Sequence, residues 1–447
     1  MFGTSGIRGP FGDEVTADLA LDVGRALAST GTDRLVIGRD PRDTGSLLAD
    51  AASAGARERG ADVTRLGVVS TPTLARSVAW RDADAGLMVT ASHNPPQDNG
   101  LKLWTPSGRA FDGEQREEVS RVVREGDFAA ADWDATGTES RWDGATERHR
   151  RHLVESFGSL DGVSVAVDLG NGAGGVTAAA LRDLGCRVVT LNGQRDGRFP
   201  GRPSEPTAEN CGDLRRFVAD ADVDLGIAHD GDADRMRAVT EEGEFVSGDV
   251  QLALFAREVV DAGDAVATPV DTSLVVDDVV AERGGSVVRT RVGDVFVAEA
   301  ARDPEVVFGG EQSGTWIWPE ETLCPDASYA ACVLVSTVRE SGPLSEAVAS
   351  IDTYPVRRDA VETDHKDAVV ERVADRLRDR HDAVDTTDGV RVETDDGWFL
   401  VRASGTEPIV RLTVEHRDEA GADERLADLT DLVREVGDRV EAGSTAT

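Results

Sequence analysis

Short β-branched runs alternate with longer Ala/Leu/Arg/Glu stretches along most of this chain, and nothing else in it restricts the fold as strongly. Leu35-Val36-Ile37 and Val163-Ser164-Val165-Ala166-Val167 are runs of the first kind. The segments from Ala17 to Ser29 and from Gly175 to Leu184 are helix-like stretches of the second. Such alternation is the signature of β-α units around mostly parallel sheets. Several strands run directly into polar or glycine-rich loops: Gly38-Arg39-Asp40, Asp168-Leu169-Gly170-Asn171-Gly172 and His229-Asp230-Gly231-Asp232. In open α/β sheets ligands bind at loops beyond the carboxyl ends of strands, so chemistry is expected there.

With 447 residues the chain exceeds one ordinary core, and length suggests three or four domains. We place them at 1–150, 151–247, 248–352 and 353–447. Residues 127–147 are acidic, Gly/Thr-punctuated and weakly periodic, and read as a linker or insertion. A third unit opens near Gly248. The fourth opens near Tyr354-Pro355, is richer in Val/Asp alternation, and holds a hairpin-like stretch from Val390 to Phe399. The expected fold class is α/β: repeated α/β units with mixed sheets, then a smaller α+β unit.

Charge narrows the function. Acidic residues outnumber basic ones 84 to 48, for a formal charge of −36, and the only lysines are Lys102 and Lys366. The acid is interleaved with apolar runs, as in a protein adapted to high salt. So negative a surface argues against nucleic acid or an anionic membrane as partner. No apolar run approaches the roughly 20 residues of a membrane span. Met1-Phe2-Gly3-Thr4 has neither a charged n-region nor an apolar h-region, so a cytoplasmic protein is expected. Cys186, Cys211, Cys324 and Cys332 form no Cys-x-x-Cys pair and read as buried small hydrophobes.

Four segments carry chemistry. Thr90-Ala91-Ser92-His93-Asn94-Pro95 presents one serine hydroxyl beside a histidine, although alone it could be a surface turn. Asp230-Gly231-Asp232-Ala233-Asp234-Arg235 follows the apolar run Leu225-Gly226-Ile227-Ala228. Carboxylates at every second position of an extended backbone point to one side and can converge on a hard cation; Mg²⁺ suits phosphate chemistry. An EF-hand is the rival, with Glu241 at its twelfth position, but Arg235 stands where that loop needs glycine. Gly309-Gly310-Glu311-Gln312-Ser313-Gly314 offers a carboxylate and a hydroxyl suited to sugar hydroxyls. Arg402-Ala403-Ser404-Gly405-Thr406-Glu407-Pro408 packs donors into one turn that could nest a phosphate dianion, with Arg411 in reach if the chain doubles back.

Gly170-Asn171-Gly172-Ala173-Gly174-Gly175 matches the dinucleotide fingerprint, yet the next strand ends at Asn192 without the acid that would hold a ribose. A tight structural turn is the better reading. Neither lysine lies in a Gly-Lys-Ser/Thr context, so no ATP-type P-loop is expected.

In this order the four segments, with the opening Gly3-Thr4-Ser5-Gly6-Ile7-Arg8-Gly9, resemble the α-D-phosphohexomutase family over essentially the whole chain. The likeness is greatest to its phosphoglucosamine mutase branch and archaeal relatives. The resemblance implies three similar α/β domains and a C-terminal α+β domain around a central cleft. It implies that Ser92 is the phosphoserine, and that Asp230, Asp232 and Asp234 hold one Mg²⁺ per subunit together with an oxygen on Ser92. Arg8 and Lys102 would be acid/base and charge-stabilising groups, while His93 and Arg235 orient the phosphoserine. Thr290, Gly293, Asp294, Glu311 and Ser313 would bind the sugar, and Arg402, Ser404, Gly405, Thr406 and Arg411 the phosphate that is not reacting. Survival of Lys102 in a chain that has shed lysine supports its role independently.

The implied reaction moves a phosphoryl group between the 6- and 1-positions of a hexose through a bound bisphosphate. Substrate and intermediate would be the partners, and a homodimer is compatible. Gln312 favours the glucosamine branch over the mannose/glucose branch, where methionine is typical. Thr315 replaces the usual histidine, and Arg291 stands where lysine is common. Phosphomannomutase, phosphoglucomutase or phosphopentomutase activity therefore stays open, as do a metal phosphatase and a non-enzymatic acidic Ca²⁺-binding module.

Overall fold

The computed structural model describes residues 1–128, 131–381, 383–404 and 408–444. Four sheets organise them. The first runs in the order Ile7–Pro10, Asp98–Trp104, Ala85–Val89, Arg34–Arg39, Asp62–Val68, Glu139–Arg141. Its last four strands are mutually parallel, and Asp98–Trp104 pairs antiparallel on both sides. Leu35 and Ile37 pack with Val23, Leu27, Leu48 and Ala52, while Val36 packs with Leu74, Val78, Met88 and Trp104. A strand apolar at successive positions is thus buried on both faces, under the helices Ala17–Ser29 and Gly45–Glu58 on one side and Thr71–Trp80 on the other.

The second sheet has the order Met236–Thr240, Leu225–His229, Ser164–Asp168, Arg187–Leu191. The third has the order Ser286–Thr290, Ala265–Pro269, Val306–Glu311, Thr315–Ile317. Each is parallel apart from one antiparallel edge strand. One apolar core runs between them, from Val165, Val167 and Ile227 to Val266, Phe308 and Trp316. The fourth sheet, Val356–Glu362, Ile409–His416, Gly397–Ala403, Val390–Thr394, Val384–Asp385, is wholly antiparallel. The helices Lys366–Arg378 and Glu419–Ser444 cover it through Val369, Val373, Leu429 and Val433. Three mixed-sheet α/β domains and a C-terminal α+β domain result.

Residues 127–147 are more than a linker. Glu139–Arg141 closes the first sheet, held by backbone pairing and by Asp62, whose carboxylate accepts the Thr138 N–H at 2.7 Å. All three of its residues are exposed, so no apolar alternation betrays it. The helix Ala145–Phe157 follows and spans position 150. Among the described residues no helix is long and apolar enough to cross a membrane.

Buried polar contacts lock the domains. Asp326 accepts hydrogen bonds from Ser328 and Tyr329 at the start of the helix Ala327–Ser341, and pairs with Arg76 at 2.9 Å and His149 at 3.1 Å. At the third–fourth junction Glu415 accepts from the Leu274 N–H at 2.7 Å and the Trp398 indole at 2.6 Å.

Candidate active site

Ser92 stands in the connection between Ala85–Val89 and Asp98–Trp104, with φ of 48°, a conformation that non-glycine residues avoid unless their surroundings hold them there. Its N–H donates to Thr90 Oγ1 at 2.8 Å, and its carbonyl accepts from Arg42 and from Ser204, both at 2.9 Å. The Arg42 guanidinium is fully buried. It pairs with Asp40 at 2.9 Å and donates to the carbonyls of Asn94, Pro95 and Asp98 at 2.5–2.9 Å. One side chain therefore fixes most of the loop. Sequence reading missed Arg42; its signal was position, three residues past Arg39 in a polar strand-end loop.

The Ser92 hydroxyl donates to Asp230 Oδ2 at 2.6 Å, across the boundary between first and second domains. His93 Nδ1 lies 3.3 Å from Ser92 Oγ. Burial, then the guanidiniums of Arg235, Arg8 and Arg42, pushes His93 down to about 2, so its ring is neutral at physiological pH.

Ligand oxygens of Asp230, Asp232 and Asp234 lie within 4.8 Å of one another, all three residues buried. The backbone that gathers them is not extended. Residues 230–234 form a turn, closed by the Ala233 N–H on the Asp230 carbonyl at 3.3 Å, with Ala233 at φ 56°. An extended strand would have spread alternate carboxylates; the turn folds them inward. A Cβ on Gly231 would come within 2.8 Å of the Ser92 carbonyl and 2.7 Å of Ser204 Oγ, so only glycine lets the two loops touch. Thr71 donates to Asp232 Oδ2 at 2.6 Å. Asp232 Oδ1 and Asp234 Oδ1 are buried without a hydrogen-bond partner. Burial, then the like charges of Asp232 and Asp234, drives Asp230 well up; burial and then Asp232, partly opposed by Lys102, bring Asp234 to about 6. Orphaned carboxylate oxygens around one point fit an oxygen-preferring divalent cation such as Mg²⁺. The flanks are antiparallel strands and Glu241 is engaged by Ser345, so the loop is no EF-hand.

The Gly170 turn backs this loop. Ala173 N–H donates to the Gly231 carbonyl at 2.9 Å, and Asp168 is held by Arg202 and by Asn192, at 2.7 and 2.9 Å. It packs against the metal loop from behind, as a structural turn should.

A cavity of about 310 Å³ collects Arg8, Ser92, Lys102, Asp234, Arg235, Gly293, Asp294, Glu311 and Ser313 from three domains. Lys102 is buried, 4.7 Å above the Trp104 ring, and donates to Asp294 at 2.6 Å. Burial opposes its charge, but Asp294 and then Asp234 outweigh that and hold Lys102 above its ordinary value, as a firm ammonium. Burial likewise works against Asp294, and Lys102 more than offsets it. Glu311 accepts from the Gly293 N–H at 2.7 Å and from the hydroxyls of Thr315 and Ser313 at 3.1 and 3.3 Å. Burial, then Asp294, raises it to about 7. Thr315, where a histidine was expected, thus orients this carboxylate.

Other expected site residues lie outside the cavity. Thr290 is buried at the end of its strand, its hydroxyl on the Arg291 carbonyl at 2.8 Å. The chain does double back: Arg402 and Arg411 are direct partners in adjacent antiparallel strands. Arg402 pairs with Asp388 at 3.2 Å, and Asp388 also accepts the Val292 N–H at 3.1 Å. Ser404 is buried and its N–H donates to Ile409 at 3.0 Å. Gly405 and Thr406 fall outside the described residues. Asp271 and Gln312 line the cavity without having been singled out as ligand-binding residues. All four cysteines are buried thiols.

Four domains, three of which bring a serine, a carboxylate cluster and a buried glutamate to one cleft, define a phosphosugar mutase, an isomerase acting by intramolecular phosphotransfer. Models of phosphoglucomutase/phosphomannomutase domains I, II, III and the C-terminal domain match residues 1–130, 148–243, 247–354 and 356–432. A probable phosphoglucosamine mutase of Methanopyrus kandleri is 47% identical over 97% of both chains, and one of Methanocella arvoryzae 44% over 97% of this chain and 98% of its own. A phosphoglucomutase/phosphomannomutase family protein of Burkholderia thailandensis superposes with a TM-score of 0.87 at 28% identity, covering 98% of both chains. The chain belongs to the phosphoglucomutase/phosphomannomutase family, the α-D-phosphohexomutases.

Proposed function

We propose that this protein interconverts glucosamine 6-phosphate and glucosamine 1-phosphate through a phosphorylated Ser92 and a bound bisphosphate. The carrying observation is the Ser92 hydroxyl 2.6 Å from Asp230, in the cavity that also holds Lys102, Asp294 and Glu311. In the forward half-reaction the Oγ–P bond of phospho-Ser92 breaks as a sugar hydroxyl forms a new P–O bond. Lys102 and Arg8 supply positive charge at the breaking bond. Lys102, kept protonated by Asp294, can give the serine oxygen a proton and take up the one that the attacking hydroxyl releases, so it ends the step as the ammonium it began as. Neutral His93 accepts or donates one hydrogen bond there without adding charge. Glu311 and Ser313 grip ring hydroxyls in both orientations of the bisphosphate. The donor loop around Arg402 and Ser404 takes the phosphate that is not reacting. When bound, Mg²⁺ would be held by Asp230, Asp232 and Asp234 and would neutralise charge on the transferring phosphoryl group.

Support for an amino sugar comes from the relatives at 41–47% identity that bear the name probable phosphoglucosamine mutase, and from Gln312 in the sugar loop. Glucose, mannose and pentose phosphates are the competing substrates. Intact mass of the purified protein should show one phosphoryl group, and Ser92→Ala should abolish both that mass and isomerisation. Full activity in the alanine variant would sink the reading; free phosphate without isomerised sugar would make the protein a phosphatase.

A further inference from the structure

Asp271 stands in the cavity on the turn after the strand Ala265–Pro269. The fourth domain fixes that turn: Arg391 donates to the carbonyls of Val270 and Thr272, and Glu415 accepts from Ser273 and from the Leu274 N–H. A carboxylate on so constrained a turn is held in one place. Gln312 lines the cavity beside it, and Glu311 lies near enough to feel its charge.

Of the cations around the cavity, Arg402 pairs with Asp388 at 3.2 Å, Arg235 with Glu205 at 3.6 Å and Lys102 with Asp294 at 2.6 Å, and the charge of Arg8 acts on Lys102 and Asp294. Among the described residues Asp271 makes no ion pair. Burial holds it above the usual carboxylate range, Arg402 only partly opposing this. Asp271 and Glu311 therefore border a space that must admit a sugar bearing a phosphate of about −1.5 to −2 charge at neutral pH. An ionised Asp271 there disfavours that anion, unless the substrate itself brings a cation. In a 2-amino sugar the ammonium sits on the carbon next to the 3-hydroxyl, the kind of group Glu311 and Ser313 are placed to hold.

We propose that Asp271 is a specificity-determining residue that pairs with the ammonium group of an amino sugar phosphate. The inference rests on the amino sugar reading above. The test compares kcat/KM on glucosamine 6-phosphate, N-acetylglucosamine 6-phosphate and glucose 6-phosphate for the wild type, Asp271→Asn and Asp271→Ser. Asparagine keeps the shape while removing the charge. The glucosamine/glucose ratio should fall about tenfold or more in both variants, mainly through KM for glucosamine 6-phosphate. Rates on the two uncharged sugars should hold or rise. In the wild type the ratio should decline as pH rises and the amine loses its proton, a readout that survives if neither variant folds. An unchanged ratio, a parallel loss on all three sugars, or a wild-type ratio flat with pH would overturn the role of Asp271 while leaving the amino sugar reading standing. A wild type with no preference for glucosamine 6-phosphate would instead overturn that reading, and Asp271 with it.

Discussion

Ser92 is held in an uncommon backbone conformation by residues far from it in sequence, and Arg42 carries most of that load. Removing one member of a fully buried ion pair typically costs about 3–5 kcal/mol, because the other charge is left unpaired. Arg42→Ala should therefore lower unfolding free energy by about that much through Asp40, and Arg42→Lys should fold but isomerise at least about tenfold more slowly, since a point charge cannot serve four carbonyls at once. Denaturant melts and rates check both; an Arg42→Ala protein within about 1 kcal/mol of the parent would contradict the clamp.

Glu311 gives a pH prediction. Its carboxyl binds a proton up to about 7 in the folded protein, against an ordinary value of 4.5. Between those values the folded state holds the extra proton, so this residue's contribution to stability falls as pH rises and levels off above about 7. Glu311→Gln mimics the protonated form. Its melting temperature relative to the parent should rise from pH 4.5 to 7 and then stay flat; a constant difference would argue against the shift. At this scale the sequence was legible where chemistry is unusual for the chain. Lys102 stood out because lysine is otherwise almost absent, and it is indeed buried in the cavity on Asp294. Arg42 was one arginine among many.

Elements tell a different story, because periodicity exposes strands buried on both faces and helices with a stripe, but not devices made of turns and edges. The helix Ala17–Ser29 and the Val390–Thr394 hairpin were visible in the pattern. The edge strand Glu139–Arg141 was not, since its side chains are exposed and backbone pairing with polar contacts, not apolar burial, defines it. Nor was the shape of the aspartate loop, where Ala233 in a left-handed conformation replaces an extended run. Asp326 shows how an element's end can bind domains: it caps the helix Ala327–Ser341 and neutralises Arg76 of the first domain. Asp326→Ala should cost about 3–5 kcal/mol, the lost cap adding to a buried guanidinium left with Glu321 at 3.6 Å as its remaining ion pair. Asp326→Asn, which keeps the cap acceptor, should cost less. Equal losses in denaturant melts would show that the cap plays no part.

The whole molecule is a cleft whose walls come from separate domains, in a chain of formal charge −36. Screening length falls from about 10 Å at 0.1 M salt to about 3 Å at 1 M, so self-repulsion should relax as salt rises. Melting temperature and activity should both climb between about 0.1 and 1 M KCl, while an equally concentrated neutral osmolyte should raise the melting temperature without matching the salt response. A melting temperature that falls with KCl would refute this account of the acid excess. Tight docking of the fourth domain, through Glu415 and Arg391 on the turn that carries Asp271, makes the substrate cavity depend on all four sheets.

Local sequence by itself determined the β-α alternation, the four chemical loops and their order, because periodicity and loop composition are properties of neighbouring residues. Only the tertiary structure decided which groups meet. Arg76 reaches Asp326 across 250 positions, Ser92 reaches Asp230 across 138, and no periodic signal marks either partner. Packing brings such groups to one point, and burial there sets their charge. Burial holds Asp230 high and His93 neutral, while Asp294 keeps Lys102 protonated against it.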